Sequence, residues 1–366
     1  MKKSKHSNFH KIVAFVLIAI VIISAVGFVV NGWQPILDLG ANIGNINDNN
    51  VNADENNNSS AEGDVPAVVA PKFFNYLTGL ETTEEKLYTK PFSFIVNPDD
   101  SLYGVSCSPL SIEFPTETGG TRMLVYSDSI TTLGKIGSIL PTRTYISNLT
   151  KYFGGALLSL GNDDVIKYPG IEPNDHIDLS TATGYHYTEN TTRAFTNGDL
   201  VKAVISHFQI STEFSGIQRL PFSFNEVGKE ALAFTNIAST VILPFSADTE
   251  TSIRYHKETG KYIYLKGGTP KTDMLNTYAL EYDNAFILFA DSTTHETSEG
   301  TELILNTTGA GLGYYLTGGT YKAIRWVSDD NSLTFYDEYD NKLIVNRGTS
   351  YIAFLKATSL NNVIFS

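Results

Sequence analysis

The sequence predicts an α+β protein in which an α/β-like N-terminal half is followed by a β-rich C-terminal half. Residues 92–160 alternate between strand and helix patterns, and short β-branched or aromatic segments separated by Gly, Asn, Asp and Thr follow Pro221. An uncharged apolar run at residues 12–30 precedes both. The predicted segments are a cytoplasmic N-terminus (1–11), a transmembrane helix (12–32), a disordered Asn-rich tether (33–72), an α/β part (73–220) and a β-rich part (221–366).

The apolar run near the N-terminus predicts a membrane anchor. At about 1.5 Å per residue, it is long enough to cross a hydrocarbon core of about 30 Å. Lysines precede it and Trp33 follows, which favours a cytoplasmic N-terminus and an extracellular C-terminal domain. A cleaved signal peptide is the alternative, because Ser24–Gly27 offers small residues, but the apolar run continues past them. We therefore expect a single-pass protein of the cell membrane.

The tether and the charge of the chain limit the partners. Residues 33–72 are crowded with Asn, Asp and Glu and contain too few apolar residues to form a core. The net charge is −13, and the charged residues of segment 1–33 are all lysines, so the remainder is more acidic still. Such a surface repels nucleic acid. The expected partners are the membrane, through the anchor, and a cell-wall polymer or another envelope protein.

Cysteine occurs once, at Cys107. The chain therefore has no intramolecular disulfide and no multi-cysteine metal site. A lone cysteine is more often a small buried apolar residue than a nucleophile, which would need an electropositive setting. We expect Cys107 to lie in the core.

Two helices are predicted in the first half. Pro141 suits a first helical turn and is followed by apolar residues at helical spacing up to Phe153. Thr196–Asp199 is a cluster of N-cap residues that predicts the start of the second helix, with His207 near its C-terminal end. The strands predicted around the first helix are Phe92–Val96, Leu110–Phe114, Arg122–Tyr126 and Ala156–Leu160.

Several polar or glycine-rich motifs are better explained by structure than by chemistry. His176 and His186 lack metal-ligand spacing and are expected in a polar loop. The acidic stretch Asp337–Asn341 lacks the spacing of a calcium loop and is expected to form a turn. Gly309–Gly313 has no following lysine and capped helix, so it predicts a turn or bulge. No metal site and no cofactor are expected.

The stretch from Glu113 to Phe153 is the predicted site. Glu113 and Glu117 precede Arg122, which follows Gly119-Gly120-Thr121 at the start of a strand, and Arg143 lies at the start of a helix. Two arginines at a strand–helix junction could hold a carboxylate or phosphate of a ligand. The same residues could instead form a structural Arg–Glu bridge. The sequence leaves both interpretations open.

A run of co-linear motifs between Leu77 and Leu355 resembles the YerB-like lipoproteins of Gram-positive bacteria, a family of unknown function. The motifs are Leu77–Leu80, Glu117–Arg122, Gly134–Gly137 with Arg143–Tyr145, Leu220–Asn225, Tyr255–Tyr262, Gly309–Gly313 and Phe335–Ile352. The resemblance also implies that three histidines and one arginine of the family are replaced here, at Ser159, Thr196, Lys271 and Leu140. Asp273 is retained. A polar cluster that does chemistry in the family would be incomplete in this chain.

These observations favour a non-catalytic binding or accessory protein in wall or membrane assembly. The chain has no G-x-S-x-G or H-E-x-x-H motif. The alternative is an enzyme acting on peptidoglycan or another envelope polymer. The candidate ligand-binding residues are Glu113, Glu117, Arg122, Arg143 and Asp273.

Overall fold

The computed structural model describes residues 72–161, 176–180, 184–190, 192–214, 221–297, 300–329 and 332–366. They belong to one compact unit, Val69–Ser366. The predicted cytoplasmic segment 1–11, the transmembrane helix 12–32 and all of the tether 33–72 except Lys72 lie outside the described residues. No helix within the described ranges has the length and apolarity that a bilayer-spanning segment needs.

Strands dominate the secondary structure, and the helices are short. The helices are α1 (Glu84–Tyr88), α2 (Thr144–Phe153), α3 (Gly198–Phe208) and a 3₁₀ helix (Ala357–Asn362). The strands of the first half are β1 (Phe73–Phe74), β2 (Glu81–Thr82), β3 (Phe92–Val96), β4 (Leu110–Pro115), β5 (Thr121–Ser127), β6 (Ile136–Gly137), β7 (Ala156–Ser159), β8 (His176–Asp178), β9 (Tyr187–Glu189) and β10 (Arg193–Thr196). Those of the second half are β11 (Ser223–Phe224), β12 (Asn236–Ile237), β13 (Thr240–Leu243), β14 (Thr251–His256), β15 (Lys261–Lys266), β16 (Thr269–Pro270), β17 (Glu281–Tyr282), β18 (Asn284–Ala290), β19 (Ser292–Thr297), β20 (Gly300–Leu305), β21 (Gly309–Thr317), β22 (Thr320–Ser328), β23 (Leu333–Tyr336), β24 (Ile344–Val345), β25 (Ser350–Lys356) and β26 (Ile364–Phe365).

An 11-stranded mixed sheet forms the centre of the molecule. Its main path runs β12-β22-β21-β18-β25-β4-β5-β3-β7-β8, and β23 pairs with β22. Strand β25 lies parallel to β4, with Ile352 opposite Ile112, so both halves of the chain contribute to one sheet. The predicted β-rich character is confirmed and extends into the first half. The α/β-like alternation there is limited, because α2 is the one described helix among β3, β4, β5 and β7.

A six-stranded sheet, built from β13 to β17 and β26, packs on one face of the central sheet. Helix α3 contributes Val201 and Val204 to the apolar core on this side. Helix α2 packs against the opposite face, where Tyr145, Ile146 and Leu149 are buried. Because side chains alternate along a strand, consecutive residues of β4 and β5 enter different cores.

Both predicted helices are present. Helix α2 begins at Thr144 rather than Pro141, because Arg143 keeps an extended backbone at the N-cap position. Helix α3 begins after Asn197, whose side chain accepts a hydrogen bond from the N–H of Leu200 at 3.0 Å. His207 lies in its last turn, as predicted.

Three local predictions need correction. Gly309–Gly313 is the start of strand β21 and not a turn, because it pairs continuously with β22. Glycine is needed at position 311, since a side chain there would lie 2.5 Å from the indole nitrogen of Trp326. Cys107 is exposed in a turn rather than buried. His176 is a buried residue of β8 and not part of a polar loop. Asp337, by contrast, accepts the N–H groups of Tyr339 and Asn341 in the predicted turn.

Candidate functional site

One edge of the central sheet collects most of the predicted site residues. Strands β18, β25, β4, β3, β7 and β8 run parallel to one another, so their carboxyl ends lie at the same edge, where β5 begins. We call this the carboxyl edge. In open sheets with parallel strands, ligands bind most often outside such an edge. The sheet divides the edge into a face towards helix α2, the α2 face, and a face towards strand β15, the β15 face.

On the α2 face, Arg143 forms a bridge between two carboxylates. Its Nη2 lies 2.9 Å from Oε1 of Glu117, and its Nε lies 2.6 Å from Oε1 of Glu302. The three side chains are 15–21% exposed. Burial would raise the pKa of Glu117, but backbone hydrogen bonds and the charge of Arg143 hold that pKa below its usual value. Arg143 therefore joins the 116–120 turn to the β19–β20 hairpin.

Arg122 lies close to this bridge but does not take part in it. Its Nη1 donates one hydrogen bond to the carbonyl oxygen of Pro141 at 2.6 Å. Among the described residues, no carboxylate forms an ion pair with its guanidinium. Burial and the positive charge of Arg143 lower the pKa of Arg122 from its ordinary value, but an arginine stays charged in a protein. Within the described ranges, Arg122 is therefore a half-buried cation whose remaining donors have no acceptor.

On the β15 face, Glu113 is fully buried and fully partnered. Lys266 places its Nζ 3.1 Å from Oε1 of Glu113. The hydroxyl of Tyr264 donates to the same oxygen at 3.1 Å, and that of Tyr351 donates to Oε2 at 2.5 Å. Burial, together with the charge of Glu113, raises the pKa of both tyrosines well above the usual value, so they remain donors.

The ammonium group of Lys266 is surrounded by oxygen atoms. It donates a hydrogen bond to Oγ1 of Thr121 at 2.9 Å, and besides Glu113 it forms an ion pair with Oδ1 of Asp99 at 3.4 Å; the side chain is 7% exposed. The charge of this buried cation is therefore balanced by two carboxylates. Lys266 lies at the base of a cavity of about 170 Å³. The cavity is lined by Asp99, Thr118, Gly119, Gly120, Ser246, Asp248, Thr249 and Lys266.

Asp273 lies apart from these groups and organises a turn. Its buried carboxylate accepts the N–H groups of Gly104, Val105 and Ser106 at 2.8–3.1 Å. The hydroxyl of Ser106 and the N–H of Leu275 also donate to it, each at 3.0 Å. Asp273 thus ties the turn that carries Cys107 to the loop that follows β16.

A buried serine–histidine pair lies further along the α2 face. Ser159, at the end of β7, has its Oγ 2.9 Å from Nε2 of His176 on β8. Burial lowers the pKa of His176, although the charge of Asp178 opposes this, so the imidazole is neutral at neutral pH. Ser159 is completely buried and His176 is 8% exposed. This arrangement satisfies two buried polar groups.

The structure divides the five sequence-derived candidates into separate environments. Glu117, Arg122 and Arg143 come together on the α2 face, Glu113 lies on the β15 face, and Asp273 is part of a distant turn. Sequence reasoning did not identify Lys266 and Glu302, whose partners lie far away along the chain. In the described part of the chain, no group of three or more His, Cys, Asp or Glu side chains could hold a metal ion.

Comparisons with known proteins identify a domain and a fold. Residues 241–352 match the family described as "Protein of unknown function (DUF3048) C-terminal domain". The crystal structure of the YerB protein from Bacillus subtilis is similar to this chain with a TM-score of 0.68 at 18% identity; the similarity covers 81% of this chain and all of YerB. No curated protein sequence matches the chain. Residues 241–352 therefore match a DUF3048 C-terminal domain, and the chain has the fold of YerB; both findings support the YerB-like family of unknown function that its motifs indicate.

Proposed function

We propose that this protein is anchored in the cell membrane by its N-terminal segment and acts outside the cell as a binding protein in wall or membrane assembly. The apolar run at 12–30, the tether after it and the acidic composition support this location. Binding, rather than catalysis, is supported by the α2 face, where the charged side chains form a bridge and an unpaired cation.

Arg122 is the observation that carries the proposal. A half-buried guanidinium normally has a carboxylate or several acceptors around it, because removing its hydration is costly. In the part of the chain that the structure describes, Arg122 has one carbonyl partner, and the neighbouring carboxylates of Glu117 and Glu302 are both paired with Arg143. Its remaining N–H groups can therefore donate to an external anion without breaking an existing ion pair.

The ligand is expected to present a carboxylate or a phosphate. A guanidinium matches both groups through two parallel N–H···O bonds. In the envelope, such groups occur on anionic wall polymers and on acidic side chains of proteins. Because the chain is itself strongly acidic, the ligand must approach the α2 face locally rather than through long-range attraction.

The test compares Arg122→Gln with the unchanged full-length chain. Titration calorimetry with a purified anionic wall polymer should show affinity falling at least about tenfold, because a charged hydrogen bond contributes about 1.5–3 kcal/mol. Inorganic phosphate and a neutral glycan fragment serve as the positive and negative probes for the anion. Arg325→Gln is the matched control, because Arg325 already pairs with Asp340 at 2.8 Å. Unchanged affinity in Arg122→Gln together with a lower melting temperature would make Arg122 structural.

The second candidate function is hydrolysis of an envelope polymer. The observation that favours it is the Ser159–His176 hydrogen bond, since a neutral histidine can activate a serine hydroxyl. The burial of Ser159 opposes it. Purified wall fragments should be incubated with the protein and with Ser159→Ala and analysed by mass spectrometry. A product that forms with the unchanged protein and not with Ser159→Ala would show that the protein is an enzyme and would replace the binding proposal.

A further inference from the structure

The loop at residues 274–278, between Asp273 and Ala279, exposes apolar side chains on a firmly held backbone. Met274, Leu275 and Tyr278 are 53%, 48% and 67% exposed. The loop contains no charged residue in a chain in which 18% of residues are charged. Large apolar residues that are exposed singly need no explanation, whereas three in one short loop indicate an interaction surface.

The backbone of this loop is fixed from several directions. The N–H of Met274 donates to the carbonyl of Leu102 at 2.9 Å, and the N–H of Asp273 donates to the carbonyl of Tyr278 at 2.9 Å. The Asn276 side chain donates to Oγ of Ser106 at 2.8 Å. With the five hydrogen bonds to the Asp273 carboxylate, these contacts join the loop to the 102–107 segment. The apolar side chains are therefore presented by a preorganised backbone, which reduces the entropy lost on binding.

One residue of the loop adopts a strained conformation. Thr277 has φ = 63°, a region that β-branched residues rarely occupy. Its N–H donates to the carbonyl of Asp273 at 2.7 Å, which helps to hold this geometry. Leu275 and Tyr278, on either side of Thr277 in sequence, are both exposed.

The cations around the loop are already engaged. Lys271 donates to the carbonyl of Asp100 at 2.8 Å, and Lys135 pairs with Glu189 at 2.6 Å. The loop itself offers no lysine or arginine to a lipid headgroup, and the acidic chain is repelled by an anionic bilayer surface. The centre of a protein–protein interface, by contrast, is depleted in charge and enriched in Tyr and Met. The composition of the loop therefore matches a protein partner.

We propose that the 274–278 loop is a docking element for another protein and inserts Leu275, flanked by Met274 and Tyr278, into an uncharged apolar pocket of that partner. The inference is independent of the anion site at Arg122, since it uses other residues on another part of the surface. An interface centred on one short loop is small, so the complex is expected to be transient.

Cys107 makes the proposal testable in the unaltered chain. It is the sole cysteine and is exposed, and its neighbour Ser106 contacts Asn276. A benzophenone maleimide attached to Cys107 should crosslink the full-length protein to one discrete partner in membranes of the native host. The partner is identified by mass spectrometry of the crosslinked peptide, purified and titrated against the unlabelled protein.

Leu275→Asp should reduce both the crosslink and the measured affinity at least tenfold. Tyr339→Asp is the matched control, because Tyr339 is 76% exposed in the Asp337–Asn341 turn, and it should leave both unchanged. Leu275→Ala keeps the loop uncharged and should give an intermediate loss.

Three results would overturn the proposal. The first is an adduct with twice the mass of the chain, which would indicate a second copy. The second is binding to vesicles of phosphatidylglycerol and phosphatidylethanolamine that Leu275→Asp abolishes, which would indicate a lipid surface. The third is a crosslink and affinity that do not change in Leu275→Asp, or no crosslink at all.

Discussion

Lys266 on the β15 face and Arg122 on the α2 face are both cations at the carboxyl edge, but their partners differ. On the β15 face, Lys266 pairs with the carboxylates of Glu113 and Asp99 and donates to Thr121. On the α2 face, Arg122 has one carbonyl partner among the described residues, while Arg143 pairs with both nearby carboxylates. A buried cation that is paired with carboxylates maintains the structure, whereas a cation without such a pair is suited to an anionic ligand. Thr121 and Arg122 are neighbours on β5, so the two environments lie on opposite sides of one strand.

The largest expected effect lies on the β15 face. Lys266→Met leaves Glu113 as an uncompensated buried charge and should lower the free energy of unfolding by about 3–5 kcal/mol, measured by urea denaturation. The double variant Lys266→Met/Glu113→Gln removes both charges and should recover more than half of the loss. Lys271→Met is the control, because Lys271 is less buried and contacts carbonyl oxygens. A loss in Lys266→Met no greater than in the control would show that the pair is dispensable.

A smaller loss is expected for the bridge on the α2 face. Arg143→Gln removes two charged hydrogen bonds among side chains that are 15–21% exposed, and solvent screening reduces their contribution. We expect the free energy of unfolding, measured by urea denaturation, to fall by about 1–2 kcal/mol. Arg122→Gln should lower the free energy of unfolding by less than about 1 kcal/mol, because the loss of one charged hydrogen bond to a carbonyl is offset when the desolvated, unpaired charge is removed. If Arg122→Gln were the more damaging of the two, the distinction between bridge and binding cation would be wrong.

The smallest expected effect is a loss of folding stability in mild acid, caused by His176 on the α2 face. Burial holds the pKa of His176 below its ordinary value of 6.5, so the folded protein binds the proton less readily than the unfolded chain. The stability from this group is therefore fully present above pH 6.5 and is lost as the pH falls through the folded pKa. Urea denaturation at pH 5.0 and 7.5 should show a smaller pH-dependent loss in His176→Gln than in the unchanged chain. An equal loss in both would assign it to other groups.

The elements that the sequence predicted well are those with a local cause. Phe92–Val96 is rich in aromatic and β-branched residues, Leu110–Phe114 alternates apolar and polar residues, and Asn197 caps its helix with its own side chain. Gly309–Gly313 was misassigned because its glycines allow the strand to pass over Trp326, a contact between strands that no local pattern reveals. Cys107 was misplaced because the N–H groups around it are held by Asp273, which is remote in sequence.

The candidate site was predicted only in part, because some of its residues are neighbours in sequence and others are not. Arg122, Arg143 and Glu117 lie close together in sequence, and the strand–turn–helix pattern correctly brought them to one place. Glu302 pairs with Arg143 and not with Arg122, and Lys266 pairs with the buried carboxylate of Glu113. Both residues come from strands of the second half. The charge balance of the edge therefore depends on tertiary pairing, which composition and spacing do not encode.

Strand β25 has a consequence for how the protein is made. It lies between β18 and β4 in the central sheet, yet β4 ends at Pro115 and β25 begins only at Ser350. A nascent chain that has completed β4 must therefore be extended beyond Ser350 before the neighbouring strand is available, and folding from such distant pairings is slow. A fragment that stops before Ser350 would leave β4 and β18 with unpaired edges prone to aggregation. Strand β25 thus determines whether the strands on both sides of it can complete the sheet.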